Sequence, residues 1–253
     1  MPYPAHVSDA AYCYDGSYAG FLCCIFESYT RREIPSAVLG PAEGQITLFG
    51  TETIATDPTH ARRVANGLTR LGPMVRERVM TGFLSTEEEK DLILLRFARR
   101  CFDEGPRAVQ MLGDPDVHAA FVLERNVNNE VCRFIELIRF EEKDGMLGSV
   151  IRPKNNVLPL LRGHFCSRLP DEDFLIFDAA HGTALLRQSG HVQYLAMEHY
   201  EPARDADELN WQALWKRFFH ALTIEERRNA KAQMNHAPKR FWGGMVEMRE
   251  PYI

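Results

Sequence analysis

The fold class follows from RFIELIRFEEKDGMLGSVIR, residues 133–152. Two runs rich in apolar and β-branched residues flank the turn sequence Lys143-Asp144-Gly145, so the pattern predicts a β-hairpin with strands over 133–142 and 146–152. Pro153 cannot donate to a sheet ladder and is expected to end the second strand.

Three further strand patterns follow along the chain: FLIFD (174–178), TALLRQ (183–188) and HVQYLAME (191–198). Turn sequences at His181-Gly182 and Ser189-Gly190 separate them, so we expect an antiparallel meander. The segment at 156–165 lies between the hairpin and the meander and is expected to form a helix.

Helical patterns dominate the residues before about 130, with short strands expected at 11–14 and 46–55. Asp57-Pro58 and Asp114-Pro115 predict helix starts, because aspartate accepts from free N–H groups and proline suits the first helical position. Ser85 with Glu88 matches a capping box and predicts a third start.

A second helical region follows the meander. Its apolar residues share one predicted helix face that we expect in the core: Trp211, Leu214, Trp215, Phe218 and Leu222. Thr223 with Glu226 matches another capping box. The helix–sheet–helix order predicts a single α+β domain over 1–253, helical to about 130 and sheet-containing from about 131 to 253. Its central antiparallel sheet would be flanked by the N-terminal and C-terminal helices.

Composition argues against several classes of protein. The formal net charge of −5 gives no overall basic footprint, so any case for nucleic-acid binding must rest on local clusters. No run approaches 18 consecutive apolar residues and no basic-then-apolar leader opens the chain. We therefore expect a cytoplasmic protein without a membrane span.

The common signatures of cofactor and metal sites are missing. The six cysteines form no C-x-x-C pair, and the sequence has no Walker loop, dinucleotide glycine fingerprint, Ser-His-Asp signature or H-E-x-x-H. The sequence therefore predicts free thiols, no cofactor and no metal ion, and it disfavours the commonest hydrolases.

Basic residues cluster in two places that could contact phosphate groups. The first cluster surrounds the start of the helix expected at 156–165, where free N–H groups could also meet an anion. The second lies in the C-terminal region. The nucleic-acid-binding candidates are Arg152, Lys154, Arg162, Arg168, Arg227, Arg228, Asn229, Lys239 and Arg240. A solvated helix face is the alternative interpretation of the C-terminal charges.

A different combination of residues could support catalysis. His164 could carry a proton near neutral pH, and Asp178 closes an apolar strand where a carboxylate could act as a base. Arg139 and Arg168 would bind an anionic substrate. If these four side chains converge in one pocket, an enzyme acting on a nucleobase or nucleotide becomes the favoured interpretation. A structural histidine and a turn-forming aspartate are the alternatives.

Several segments together resemble a known bacterial family. They are Tyr14-Asp15-Gly16-Ser17, Gly20-Phe21-Leu22, Phe26-Glu27, Glu130, Arg133-Phe134, Arg139-Phe140, Arg152-Pro153, Asn156-Val157-Leu158-Pro159, Gly163-His164-Phe165, Arg168, Phe174 to Asp178, Leu214-Trp215, Phe218-Phe219, Arg227-Arg228-Asn229, Pro238-Lys239-Arg240, Trp242 and Glu247. In this order they are similar to a family described as DNA metabolism or repair proteins. The chain departs from the family pattern at Glu136-Leu137 and at Ala179-Ala180-His181.

The resemblance implies a pathway more than a reaction. Members of that family are encoded beside a radical-SAM protein associated with DNA repair, and some carry a uracil-DNA-glycosylase-like domain. Three hypotheses therefore remain: an accessory protein that binds DNA or the radical-SAM partner, an enzyme acting on a nucleobase or nucleotide, and a scaffold that binds only protein.

Overall fold

The computed structural model describes residues 6–41, 50–201, 206–224 and 229–248. The chain divides into two compact units, Met1–Asn128 and Asn129–Ile253. The boundary falls inside a helix that runs over Pro115–Leu137. That the chain is a single domain stays a prediction.

Short parallel strands form two small sheets in the first unit. The short strands are β1 (His6–Val7), β2 (Ala11–Cys13), β3 (Glu33–Ile34), β4 (Ala37–Leu39) and β5 (Thr51–Thr53). β2 is central, with β4 and β5 parallel to it on either side, and β1 pairs with β3. β2 and β5 lie within the strands expected at 11–14 and 46–55, although residues 46–49 lie outside the described residues.

Helices make up most of the rest of this unit. They are α1 (Tyr18–Thr30), α2 (Pro58–Leu71), α3 (Pro73–Phe83), α4 (Lys90–Glu104) and the first part of α5 (Pro115–Leu137). A hydrophobic core joins α1 to α4 and includes the fully buried Phe21, Leu68 and Phe97.

The two Asp-Pro helix starts are confirmed. Asp57 accepts hydrogen bonds from the N–H groups of Thr59 (2.7 Å) and His60 (3.0 Å) at the start of α2. Asp114 accepts in the same way from Asp116 (3.0 Å) and Val117 (3.2 Å) at the start of α5. These bonds satisfy N–H groups that have no partner within the helix.

The capping box expected at Ser85 and Glu88 is wrong. α4 begins later, at Lys90, after Glu89 in the left-handed region (φ 61°), and no described side chain caps it. Ser85 instead accepts a hydrogen bond from the N–H of Glu87 at 3.2 Å. The serine stabilises a turn before the helix, because its hydroxyl competes for nearby backbone groups.

A five-stranded mixed sheet organises the second unit. Its strands are β6 (Glu141–Lys143), β7 (Met146–Ile151), β8 (Asp173–Asp178), β9 (Thr183–Gln188) and β10 (His191–Ala196), in the spatial order β10-β9-β8-β7-β6. The meander β8-β9-β10 and the hairpin β6-β7 are antiparallel.

The expectation of a wholly antiparallel sheet is corrected at its centre. β7 and β8 are parallel, with Ile151 opposite Asp178. The chain returns from one strand to the other through α6 (Leu158–Arg168), which occupies the predicted helical segment. A parallel pair needs such a crossover, because both strands must start at the same edge. The carboxyl ends of β7 and β8 therefore lie side by side.

The strand expected at 133–142 is also wrong. α5 continues to Leu137, and only Glu141–Lys143 form the strand β6. The buried positions Val127, Val131, Phe134 and Ile138 recur at helical spacing, so burial favours a helix there. The apolar run that suggested a strand is the buried face of the last turns of α5.

The sheet separates two apolar layers, because successive strand residues face opposite sides. Leu175 and Phe177 pack with Tyr200 on one side. On the other side Phe140 packs edge-on against Phe165 of α6 (5.4 Å between ring centroids) and Phe174 of β8 (6.1 Å).

The C-terminal region contains α7 (Ala206–Leu222) and α8 (Ala230–His236). The expectation that the apolar face of α7 lies in the core is wrong, since Trp211, Phe218 and Leu222 are 69%, 54% and 64% exposed. The helix turns partly polar residues inward, among them Gln212. Glu226 of the expected second capping box lies outside the described residues.

Candidate arginine cavity

A cavity of about 670 Å³ opens in the second unit. The end of α5, the strand β7, residues 198–201 and the 3-10 segment Lys239–Gly244 all contribute to its lining. Three arginines line it: Arg139 follows α5, Arg152 follows β7, and Arg240 lies in the 3-10 segment. We call this feature the arginine cavity, because arginines from three separate segments line it.

Glu130 fixes one wall beside the cavity. It lies on α5 with only 2% of its surface exposed, and its carboxylate accepts from the N–H of Lys154 (3.0 Å) and of Asn155 (2.9 Å). The side-chain amide of Asn155 adds a third hydrogen bond at 2.7 Å, and Arg240 lies 3.5 Å from the same carboxylate. A buried charge with this many partners holds its surroundings in one geometry, since losing a partner would be costly.

Asp178 at the end of β8 and His181 in the turn that follows lie on the other side of the segment that contains Lys154. Asp178 is 1% exposed, and its Oδ1 accepts from the N–H groups of Ala180 (2.9 Å) and His181 (3.2 Å). Its Oδ2 lies 2.7 Å from Nδ1 of His181. That hydrogen bond is the main cause of the raised pKa of His181. The Asp178 charge, a backbone hydrogen bond with Lys154 and the Glu130 charge act in the same direction.

Residues 152–157, which we call the anchored loop, are therefore held between α5 and the end of β8. Exposed and buried residues alternate along it: Arg152, Lys154 and Asn156 are exposed, whereas Asn155 and Val157 are buried. Arg152 has no hydrogen bond or ion pair with any described residue. The loop thus presents a cation to solvent from a fixed backbone.

Arg139 is positioned by the end of its own helix. Its Nη1 donates to the carbonyl oxygens of Glu136 (3.2 Å) and Ile138 (3.1 Å). Carbonyl groups at a helix end lack partners within the helix and carry partial negative charge, so a guanidinium is favourable there. The other nitrogens of the guanidinium have no hydrogen bond to any residue that the structure describes.

The wall formed by the sheet depends on a close approach at Gly148. A Cβ atom at this position would overlap the Tyr200 hydroxyl and lie 2.9 Å from Cζ of the same ring. Tyr200 also lines the cavity, and burial together with the nearby Glu141 charge raises its pKa. Its phenol therefore stays neutral. Glu198 and Glu201 line the cavity as well, so the charge there is mixed.

Of the four catalytic candidates, only Arg139 lines the cavity. His164 and Arg168 lie on α6, and Nε2 of His164 is buried without a hydrogen-bond partner among the described residues. Asp178 is paired with His181 rather than with His164. His164 and Asp178 are therefore not hydrogen-bonded to each other, and both oxygens of Asp178 already have partners.

The nucleic-acid-binding candidates occupy several places. Arg152 and Arg240 line the cavity, and Lys154 lies in the anchored loop. The remaining candidates lie elsewhere or outside the described residues. Arg162 and Arg168 are exposed on α6. Lys239 lies over the Trp242 ring (5.8 Å), and Asn229 caps α8 by accepting from the N–H of Ala232 (3.0 Å). Arg227 and Arg228 lie outside the described residues.

Sequence reasoning missed the roles of Glu130 and His181. Glu130 falls between the apolar positions Val127 and Val131, which places it near the buried face of a helix, and an acid there needs partners. His181 follows Asp178 by three residues in Asp-Ala-Ala-His-Gly, a spacing that lets both side chains meet across a turn. Either pattern could have indicated the anchor.

The described residues contain neither a cluster of metal ligands nor a membrane-spanning helix. There, no group of three or more histidine, cysteine, aspartate or glutamate side chains is placed to hold a metal ion. Within the same ranges, no helix combines the length and apolar character that crossing a bilayer requires.

Residues 88–247 match the model of a family described as a domain of unknown function, DUF4130. The match covers more than half of the chain. The chain belongs to this family. The matched region contains every residue that lines the arginine cavity, together with Glu130, Asp178 and His181. No curated protein and no solved structure matches the chain.

Proposed function

We propose that this chain is a DNA-binding accessory protein of DNA metabolism or repair that acts beside a radical-SAM protein. The observation that carries the proposal is the convergence of Arg139, Arg152 and Arg240 on one cavity. Guanidinium groups bind phosphate oxygens in a planar, often bidentate geometry, so three of them around a concave surface suit a DNA backbone.

The rigidity of the site supports the same conclusion. Glu130 and the Asp178–His181 pair fix the backbone that carries Arg152 and Lys154. A preformed binding surface loses less conformational entropy when its ligand binds. The buried anchor therefore favours ligand binding over a merely solvated set of charges. The DNA-repair setting and the radical-SAM partner come from the family resemblance.

The test is fluorescence anisotropy of labelled single- and double-stranded DNA across a salt series. Arg152→Gln and Arg240→Gln should each weaken binding, and each should reduce the slope of log K against log[salt] by about 0.7 to 0.9. Arg107→Gln is the matched control, because Arg107 is an exposed arginine of the first unit. Glu198→Gln should strengthen binding, since it removes a negative charge from the cavity.

The α6 arginines distinguish the cavity from a different basic surface. If Arg162→Gln and Arg168→Gln reduce the salt slope and the cavity variants do not, the cavity is not the DNA site. If the wild-type protein binds no DNA even at low salt, direct DNA binding is refuted. Co-purification with the radical-SAM protein then tests the accessory role by itself.

An enzyme acting on a nucleobase or nucleotide is the second candidate, and the arginine cavity is the observation that favours it. A concave site lined by cations and by Tyr200 could enclose one nucleotide. The pairing of Asp178 with His181, however, gives both residues a positioning role. A reaction would therefore need an acid or base other than the four-residue group expected from the sequence.

A scaffold that binds only protein is the third candidate. An exposed apolar face without a basic cleft would favour it. The described residues contain an exposed apolar face on α7, but they also contain the arginine cavity. The cavity supports DNA binding, so we rank the scaffold third.

A further inference from the structure

The solvent-facing side of α7 carries five large apolar residues, which we call the α7 stripe. They are Trp211 (69% exposed), Leu214 (52%), Trp215 (41%), Phe218 (54%) and Leu222 (64%). Their spacing of three and four residues places them along one side of the helix. The stripe is therefore continuous.

Polar contacts hold the opposite side of the helix. Gln212 donates to Glu208 at 2.7 Å, and the N–H of Glu142 next to α7 donates to the same carboxylate at 3.4 Å. The usual amphipathic arrangement is thus reversed, since the apolar stripe faces solvent and these polar contacts face the protein. Within the stripe, Trp215 is 41% exposed and donates through Nε1 to Glu247 at 2.9 Å.

The stripe is larger than the scattered apolar residues of an ordinary surface. At about 200 Å² for each aromatic side chain, the three aromatic residues alone expose roughly 300 Å². With the leucines, the patch reaches the upper part of the ~300–600 Å² range of the largest apolar patch on a monomer, and patches of that size are often functional.

We propose that the α7 stripe binds the α7 stripe of a second copy of this chain, in antiparallel orientation. Four of the five residues, Trp211, Leu214, Trp215 and Phe218, are arranged symmetrically about a point midway between Leu214 and Trp215. A two-fold axis there places Trp211 opposite Phe218 of the second copy, and Leu214 opposite Trp215. Such self-complementarity is what an isologous dimer interface requires.

The charges of α7 favour the same orientation. The exposed Asp207 lies in its first turn, whereas the exposed Arg217 and His220 lie in its second half. An antiparallel pair brings the acidic end of each helix beside the basic end of the other. A parallel pair would bring like charges together, which is unfavourable. Antiparallel helix dipoles add to the preference.

The size of the stripe indicates a weak dimer. Two stripes would together bury on the order of 1,000 Å², at the lower limit for specific protein interfaces. We therefore expect association that depends on protein concentration in the micromolar range. The DNA-binding proposal does not depend on this dimer.

Sedimentation velocity over a concentration series tests the proposal. The wild-type chain should shift from monomer to dimer, whereas Trp211→Lys and Phe218→Glu should each remain monomeric. Leu112→Lys is the matched control, because Leu112 is an exposed leucine of the first unit and its replacement should leave dimerisation unchanged. Far-UV circular dichroism of each variant checks that α7 remains helical.

The mixture of the two charged variants gives the sharpest result. In the antiparallel dimer, residue 211 of one copy meets residue 218 of the other, so the mixture contains one lysine–glutamate pair and one original Trp–Phe pair. An equimolar mixture should therefore form a heterodimer although neither variant dimerises alone.

Three outcomes would overturn the proposal. They are a wild-type chain that stays monomeric at every concentration, a Trp211→Lys variant that still dimerises, and a mixture that stays monomeric. If Trp211→Lys instead abolishes single-stranded DNA binding by a monomeric wild-type chain, the stripe is a surface for stacking bases rather than a dimer interface.

Discussion

Replacing Glu130 with glutamine changes one atom of a buried carboxylate and should loosen the anchored loop. Oε1 of Glu130 accepts from the N–H of Lys154, and Oε2 accepts from both the backbone and the side-chain amide of Asn155. A glutamine keeps only one acceptor oxygen. In either orientation its NH2 group faces at least one of these donors.

The expected loss of stability follows from that mismatch. A buried N–H left without an acceptor costs about 1–3 kcal/mol, and the lost charge assistance of the remaining hydrogen bonds adds roughly 1 kcal/mol. We expect Glu130→Gln to lower the free energy of unfolding of the second unit by about 2–4 kcal/mol. At a urea m-value of about 1–2 kcal/mol/M, the midpoint falls by roughly 1–4 M.

Tryptophan fluorescence is suited to this measurement. All three tryptophans of the chain, Trp211, Trp215 and Trp242, lie in the second unit, so their emission during urea unfolding reports on that unit. Glu136→Gln is the matched control on the same helix. Glu136 is 58% exposed in its side chain and makes only a surface ion pair with Arg133 at 3.3 Å.

The control should change the free energy of unfolding by less than about 0.5 kcal/mol. A Glu130→Gln variant that unfolds within that same margin of wild type would refute the reasoning. It would mean that the loop keeps its backbone geometry without the carboxylate.

The pKa of His181 is raised in the folded chain, so protonation of this histidine stabilises the second unit. The stabilisation is complete below the pKa of about 6.5 that histidine has in the unfolded chain. It is lost as the pH rises through the pKa of His181 in the folded chain. The difference in unfolding free energy between wild type and His181→Asn, followed by tryptophan fluorescence, should therefore shrink from pH 6 to pH 9; a constant difference would contradict this. Gly148→Ala should destabilise by about 1–3 kcal/mol, because the new methyl group displaces the Tyr200 ring. The same change in a Tyr200→Ala background should cost much less, and an equal cost in both backgrounds would show that Tyr200 is not the obstacle.

Helix caps could be predicted from the sequence where the capping side chain and its partners are near neighbours in the chain. Asp57 and Asp114 each cap a helix through side chains only two or three residues from their partners, so the pattern fixes the outcome. The strands β8, β9 and β10 were also expected, since turn sequences separate them. Ser85 shows the limit, because its hydroxyl accepts from the N–H of Glu87 in a turn and caps no helix.

Structural features that depend on contacts between distant residues could not be predicted from such local patterns. The run at 133–142 fits both a strand and a helix, and only the burial of Val131, Phe134 and Ile138 decides between them. The parallel pairing of β7 with β8 depends on where α6 packs. Similarly, amphipathic spacing in α7 predicts one apolar side but not whether that side is covered by the same chain.

The candidate site was predicted in parts. Arg139, Arg152 and Arg240 were each named as candidates, but assigned to catalysis in one case and to DNA binding in the others. Nothing in their sequence positions indicates that they line one cavity, because that arrangement depends on the Glu130–Arg240 ion pair and on the sheet. The sequence gives the types of residue, whereas the topology gives their grouping.

The ion pair between Glu130 and Arg240 also has a consequence in time. Arg240 is synthesised more than eighty residues after the anchored loop, so at roughly 5–20 residues per second several seconds separate their emergence from the ribosome. Glu130 and the loop can pair during that interval, before the third arginine exists. The nascent chain therefore completes its buried anchor first and gains its full positive charge at the cavity last.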